Sequence, residues 1–248
     1  MRIFFHELRI QQLLFWRNKE SAVFIFVFPP MLFLLLGAVY DGEIDGVPAV
    51  DRLLVGILGY GCANTALAGL AITLVIRREN GLLKRLRATP LPPYLYMAAV
   101  LASTLVVFCL QMAATVLLGV LLYDAEGPES WAALVPVLLL GATVFAGLGI
   151  GIASLIRSDE GASAVVNLVV LPMAFLSGSF GSTGGYPGFL QALSDALPLT
   201  YLIDLVEAAY VRGESLVDDP RAVAVVVAWG LAGLAVAVRR FRWEPRAR

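Results

Sequence analysis

The sequence predicts an all-α polytopic membrane protein with six transmembrane helices, and three observations carry that reading. Of its 248 residues, 59% are hydrophobic and only 15% are charged, with a mean hydropathy of +0.83. A soluble domain has about a quarter of its residues charged. The apolar surplus falls in long blocks nearly free of Asp, Glu, Lys and Arg, as in a chain dissolved in lipid. The connections between blocks alternate in charge. Soluble enzymes, nucleic-acid binders, disulfide-stapled secreted domains and disordered tails are thereby excluded, and the partners expected are membrane lipids and other membrane-associated chains.

The blocks lie at residues 21–40, 53–76, 94–123, 131–156, 162–181 and 217–238. A helix needs about 20 apolar residues to cross a bilayer core of about 30 Å. The blocks show no period-2 alternation, which leaves helices rather than a barrel as the way to satisfy the backbone. The last block has its apolar run at 222–238 and is completed by 217–221. The whole of 1–248 reads as a single transmembrane domain.

Three further segments connect or precede the spans. Residues 2–19 are apolar at Ile3, Phe4, Leu8, Leu14 and Phe15 with basic residues between them. That pattern predicts a helix lying in the membrane interface, with Trp16 at headgroup depth. Nothing there reads as a cleaved signal peptide. Residues 77–93 form a basic connection in which Asn80 is expected to cap a short helix, with Leu82, Leu83 and Leu86 on one face and Lys84, Arg85 and Arg87 elsewhere. Pro90, Pro92 and Pro93 stop that helix. It either docks into a groove on a partner or anchors the chain by charge. Residues 182–213 hold two short apolar stretches split by Pro198, with Thr200 as the expected N-cap and Asp204 and Glu207 on the polar side. They read as a re-entrant helical hairpin or as a soluble cap.

Sorting the charges by connection sets the topology. Fifteen of the 18 basic residues fall in the N-terminal arm, 77–93, 157–161 and the tail, including Arg246 and Arg248. Thirteen of the 19 acidic residues, Asp41, Asp45 and Asp51 among them, lie on the other side. The positive-inside rule then places both termini in the cytoplasm.

The chemistry missing from the chain is equally informative. No phosphate-cradling GxxxxGK[ST] loop occurs, so no nucleotide site is expected in this chain, and His6 is a lone histidine. Cys62 and Cys109 fall inside spans and read as packing residues. No catalytic site and no bound cofactor or metal are expected. Gly147, Gly149 and Gly151 lie mid-span, where small residues let helices approach closely. Apart from Asp218, Asp219 and Arg221 at the start of the last block, no charge sits inside the blocks, so an ion-coupled transporter is disfavoured and any uphill work is expected to come from another chain. Asn64, Gln111 and Asn167 are the strongest polar groups in the spans, either bonded between helices or facing a substrate. Pro29, Pro30 and Pro172 are expected to kink their helices, which suits a moving wall or a static bundle.

The run IRRENGLLKRLRATPLPPYLYMAAVL between the second and third blocks resembles the cytoplasmic gate loop of type-2 ABC exporter permeases. LPMAFLSGSFG followed by LPLTYLIDLVEAAYVRG resembles the fifth span and external hairpin of the same family, whose members include daunorubicin-resistance-type drug exporters and polysaccharide or teichoic-acid exporters. The resemblance implies a permease subunit of the cell membrane, most naturally a bacterial inner membrane. Paired with a second permease copy or a sibling, it would carry a hydrophobic drug-like or lipidic substrate, a polymer being the alternative cargo. A non-transporting assembly partner is the reading from another class. ATP and Mg would be bound by a separate ATP-binding subunit. Gly81, Leu82, Leu83, Lys84, Arg85, Leu86 and Arg87 would form the coupling helix, and Arg77, Arg78 and Glu79 the gate loop. Pro29, Pro30, Asn64, Asn167 and Pro172 would line the pathway, with Pro198, Thr200, Asp204 and Glu207 in the external hairpin.

Overall fold

The computed structural model describes residues 2–40, 42–44 and 46–244; Asp41, Asp45, Arg246 and Arg248 of the charge pattern lie outside the described residues. Ten helices follow in order: α1 (Arg2–Arg17), α2 (Lys19–Gly37), α3 (Ala49–Glu79), α4 (Leu82–Arg87) and α5 (Pro93–Tyr123). After them come α6 (Trp131–Leu155), α7 (Ala162–Leu176), α8 (Gly188–Ser194), α9 (Pro198–Val211) and α10 (Pro220–Arg240). A two-stranded antiparallel ribbon, β1 (Glu43–Ile44) and β2 (Val47–Pro48), precedes α3. Among the described residues, α2, α3, α5, α6 and α10 are each long and apolar enough to cross a membrane.

The fifth block departs from expectation. α7 has 15 residues and ends at Leu176 rather than 181, because Ser177–Gly178 turns the chain, with Gly178 at φ 77°. A left-handed residue there is cheap only for glycine. α8 and α9 then follow as a pair bent by 77° at Pro198. Pro198 opens α9, whose Leu199, Leu202, Leu205, Val206 and Ala209 are all buried. Thr200 is not the N-cap: that position is Leu197, and the Thr200 hydroxyl instead donates to Ser194 O at 2.7 Å and lies 3.0 Å from Ser177 Oγ. It fastens the bend to the end of α7. In the connection before α10, Ser215 N and Oγ donate to Asp218, holding its carboxylate below the usual range.

α3 is the buried centre, with 94% of its apolar window inside the bundle against 22% for α2 and 28% for α10. It begins four residues before the expected span, so Asp51 and Arg52 enter its first turn and are buried. Arg52 Nε lies 3.6 Å from Glu207 of α9, and Asp51 Oδ1 accepts from Glu126 N at 3.1 Å. These contacts close the acidic end of the bundle. α6 packs on α10 through glycines: Gly151 faces the Gly233 backbone and Gly147 faces Gly230 O. Small residues let two backbones meet, as read from the sequence. Cys62 and Cys109 are free thiols, the first buried and the second exposed.

α2 and α3 each contain π-helical turns, at Val23–Val27 and Cys62–Gly69, which pack against one another. Pro29 has no N–H for Ile25 O, and the Phe28 N–H bonds to Val23 O, releasing Phe24 O. Asn64 Nδ2 donates to both freed carbonyls, at 3.3 and 3.4 Å, with Thr65 Oγ1 3.5 Å from Ile25 O. The Thr65 hydroxyl also meets Gln111 Oε1 of α5. The prolines thus do not break α2. They create an acceptor pair that the amide of Asn64 satisfies.

Candidate functional site

At the end of the bundle that carries α1 and α4, α3 runs on to Glu79. Arg77, Arg78 and Glu79 are therefore its last turn rather than a loop. None of the three is a freely solvated charge. Arg78 is 1% exposed; its Nη1 donates to Ala153 O at 2.9 Å, its Nη2 to Ile156 O at 2.6 Å and its Nε to Glu79 Oε1 at 2.7 Å. The last carbonyls of any helix lack intrahelical donors, and the dipole there favours a cation. Arg78 supplies both needs for α6.

Arg77 reaches the other way. Its Nη1 donates to Gln11 Oε1 at 2.6 Å and to Tyr96 Oη at 2.9 Å, while Gln11 Nε2 donates to Glu7 at 2.6 Å. One turn away, Gln12 Nε2 donates to Ser103 O and Oγ, each at 2.9 Å. α1 thus turns Gln11 and Gln12 toward the bundle and leaves Ile3, Phe5, Leu13, Leu14 and Trp16 exposed. Sequence reasoning missed Glu7, Gln11, Gln12 and Tyr96. The two adjacent glutamines in an otherwise apolar and basic helix were the available signal, since amides gain most where water is scarce.

α4 differs from expectation in its cap and in its facing. Gly81, at φ 70°, occupies the N-cap, whereas Asn80 closes α3. Leu83 is fully buried and Leu86 packs on the same core, so the three leucines do not form one outward docking face. Leu82, Lys84, Arg85 and Arg87 are the side chains left exposed. A Cβ at Gly81 would meet no atom within 4 Å, so Gly81→Ala is strained only by its dihedral. It is expected to lower stability by about 1–2 kcal/mol, read as a fall in thermal midpoint in detergent.

Between α1, α2, α3, α5 and α7 lies an open cavity of about 860 Å³. Asn64, Thr65, Thr73, Thr104, Ser163 and Asn167 give it neutral hydrogen-bonding groups, set among Phe24, Ile25, Leu70 and Val107. Arg77 and Leu82 line it as well, which joins the cavity to the Arg77 network and to α4. Of the residues expected along a pathway, Asn64 and Asn167 are present. Pro29 and Pro30 are instead buried in helix packing, and Pro172 is exposed outside the cavity. Asp204 and Glu207 lie at the opposite, acidic end. Such a cavity can hold an amphiphile by apolar contact and neutral hydrogen bonds.

The ABC-2 type transporter profile matches residues 4–211. An inner membrane transport permease of Escherichia coli, YhhJ, is 30% identical over 176 residues, covering 68% of this chain and 46% of that protein. The Shigella flexneri protein of the same name matches equally. A putative transport permease of Bacillus subtilis, YvfS, is 24% identical over 184 residues, 73% of this chain and 75% of that protein. The chain thus spans about half the length of the enterobacterial relatives it matches. With at least five helices fit to span a bilayer among the described residues and a profile match over most of its length, this multi-pass membrane protein belongs to the ABC-2 type transporter family.

Proposed function

We propose that the chain is the membrane subunit of an ATP-driven exporter that moves a hydrophobic drug-like or lipidic substrate across a bacterial inner membrane. The observation that carries this reading is the cavity that combines Asn64 and Asn167 with Arg77 and Leu82 on one continuous wall. Substrate contact and the basic gate end share that wall, so movement at one alters the other. The concentration of basic residues at the α1 and α4 end supports a cytoplasmic position for it. α4, from Gly81 to Arg87, is the coupling helix toward a separate ATP-binding subunit that holds ATP and Mg. The α8–α9 pair is a re-entrant external hairpin in which Arg52 and Glu207 tie α3 to α9. The exposed apolar face of α7, with Leu168, Leu171 and Phe175, supports pairing with a second permease copy.

The test is ATP-dependent uptake by inside-out vesicles containing the chain and its ATP-binding subunit, with an anthracycline dye and a fluorescent phospholipid as probes. Asn167→Trp, which places an indole in the cavity, is expected to abolish most uptake and leave basal ATP hydrolysis in place. Uptake that is unchanged by the indole, or absent for both probes in the wild-type complex, would sink the reading.

A further inference from the structure

The segment after α10 folds back beside α4. The Phe241 and Trp243 rings meet edge-on with centroids 5.7 Å apart, and Trp243 lies 6.4 Å from the ring of Tyr96. Both aromatic residues are half-buried against the core, whereas Arg242 and Glu244 are exposed. Between this segment and Arg87 runs a groove of about 370 Å³, lined by Arg87, Phe241, Arg242, Trp243 and Glu244 and distinct from the large cavity. Lys84 and Arg85 continue the cationic surface along α4.

The inward turn of Leu83 and Leu86 removes an apolar docking face from α4, and the groove offers a different one. Two guanidinium groups border two aromatic rings, and Glu244 is the single acidic group among its lining residues. Arg and Trp that can be desolvated together are the residue types that anchor protein interfaces. A planar guanidinium pairs with a carboxylate through two parallel hydrogen bonds.

We propose that this groove receives an acidic segment of the ATP-binding subunit, with its carboxylates on Arg87 and Arg242 and an apolar side chain against Trp243. The tail and α4 then form one composite docking surface. Trp243 hands any displacement to Tyr96, whose hydroxyl accepts from Arg77 at the wall of the cavity. The proposal rests on the exporter reading given above.

The experiment uses the full chain in nanodiscs and the co-expressed ATP-binding subunit, with affinity measured between 0.05 and 0.5 M salt. For the Arg87→Glu, Arg242→Glu double variant the expectation is roughly tenfold weaker association and a flattened salt dependence. Trp243→Ala is expected to weaken binding roughly fivefold without altering the salt slope. Arg221→Glu makes half that charge change at the first turn of α10, at the far end of the bundle, and should leave affinity unchanged. If the wild-type pair associates and the double variant associates equally well, the groove assignment fails while the exporter reading stands. A double variant that loses only binding to phosphatidylglycerol vesicles assigns the groove to lipid and overturns the proposal. Absence of any wild-type association removes both.

Discussion

Arg78→Ala is expected to destabilise the protein by about 3–5 kcal/mol, the usual consequence of removing one partner from a buried charged network. The loss has three parts. Ala153 O and Ile156 O lose their donors at the buried end of α6, Glu79 loses its cation, and a fully buried side chain leaves a void. For a chain of this size about 1 kcal/mol moves the thermal midpoint by roughly 2–4 °C, so a fall of roughly 6–20 °C is expected in detergent. Arg78→Lys should recover only part of it, because one ammonium cannot reproduce the fork that spans two carbonyls and a carboxylate. Arg77→Ala should affect stability less, since its acceptors are a neutral amide and a phenol in a part-buried setting. A midpoint that Arg78→Ala leaves within a degree or two of the wild type would show that α6 does not depend on this cap.

Much of the helical plan was legible in the sequence because hydrophobic length and the absence of charge act over 20 residues at once. Facing was harder to read, and for a physical reason. α4 has six residues, so either of its faces could have been turned inward; the packing of Leu83 and Leu86 on the core decides it. The same holds for α1, where a rule that seats apolar residues inward is overruled by Gln11 and Gln12 finding partners in a water-poor crevice. Pro29 and Pro30 carry a clear signal for a kink. The signal marked freed carbonyls, and their acceptor demand explains why an asparagine stands at position 64. The early end of α7 was also visible in Ser177-Gly178-Ser179, a polar, glycine-centred stretch at the close of an apolar run. Arg52 and Glu207 lie too far apart in sequence for charge sorting to pair them, and only the docking of α9 on α3 brings them together.

Gly233→Leu is expected to separate α10 from α6. A Cβ at Gly233 would stand 2.7 Å from Leu148 Cα, 2.8 Å from Leu148 N and 2.9 Å from Gly147 O, and all three are backbone atoms that no rotamer change can move aside. In the opposite direction, a Cβ at Gly151 would stand 2.7 Å from Gly233 O. Two effects of opposite sign therefore meet at this position. A side chain at a helical glycine improves intrinsic helix propensity by about 1 kcal/mol, whereas overpacking costs about 1–3 kcal/mol even in a yielding core. Here the neighbour is a helix backbone, so repulsion wins. The effect of alanine should already be negative, by about 1–2 kcal/mol, and leucine should exceed it. Lipid offers no hydrophobic drive to press the helices back together, because a chain of CH₂ groups solvates α10 as well as α6 does. The control is Gly188→Ala in the first turn of α8, where a Cβ meets nothing within 4 Å and the propensity gain is unopposed. Thermal midpoints should fall for both Gly233 variants and hold or rise for Gly188→Ala. Equal behaviour of Gly233→Ala and Gly188→Ala would mean that α6 and α10 do not meet backbone to backbone.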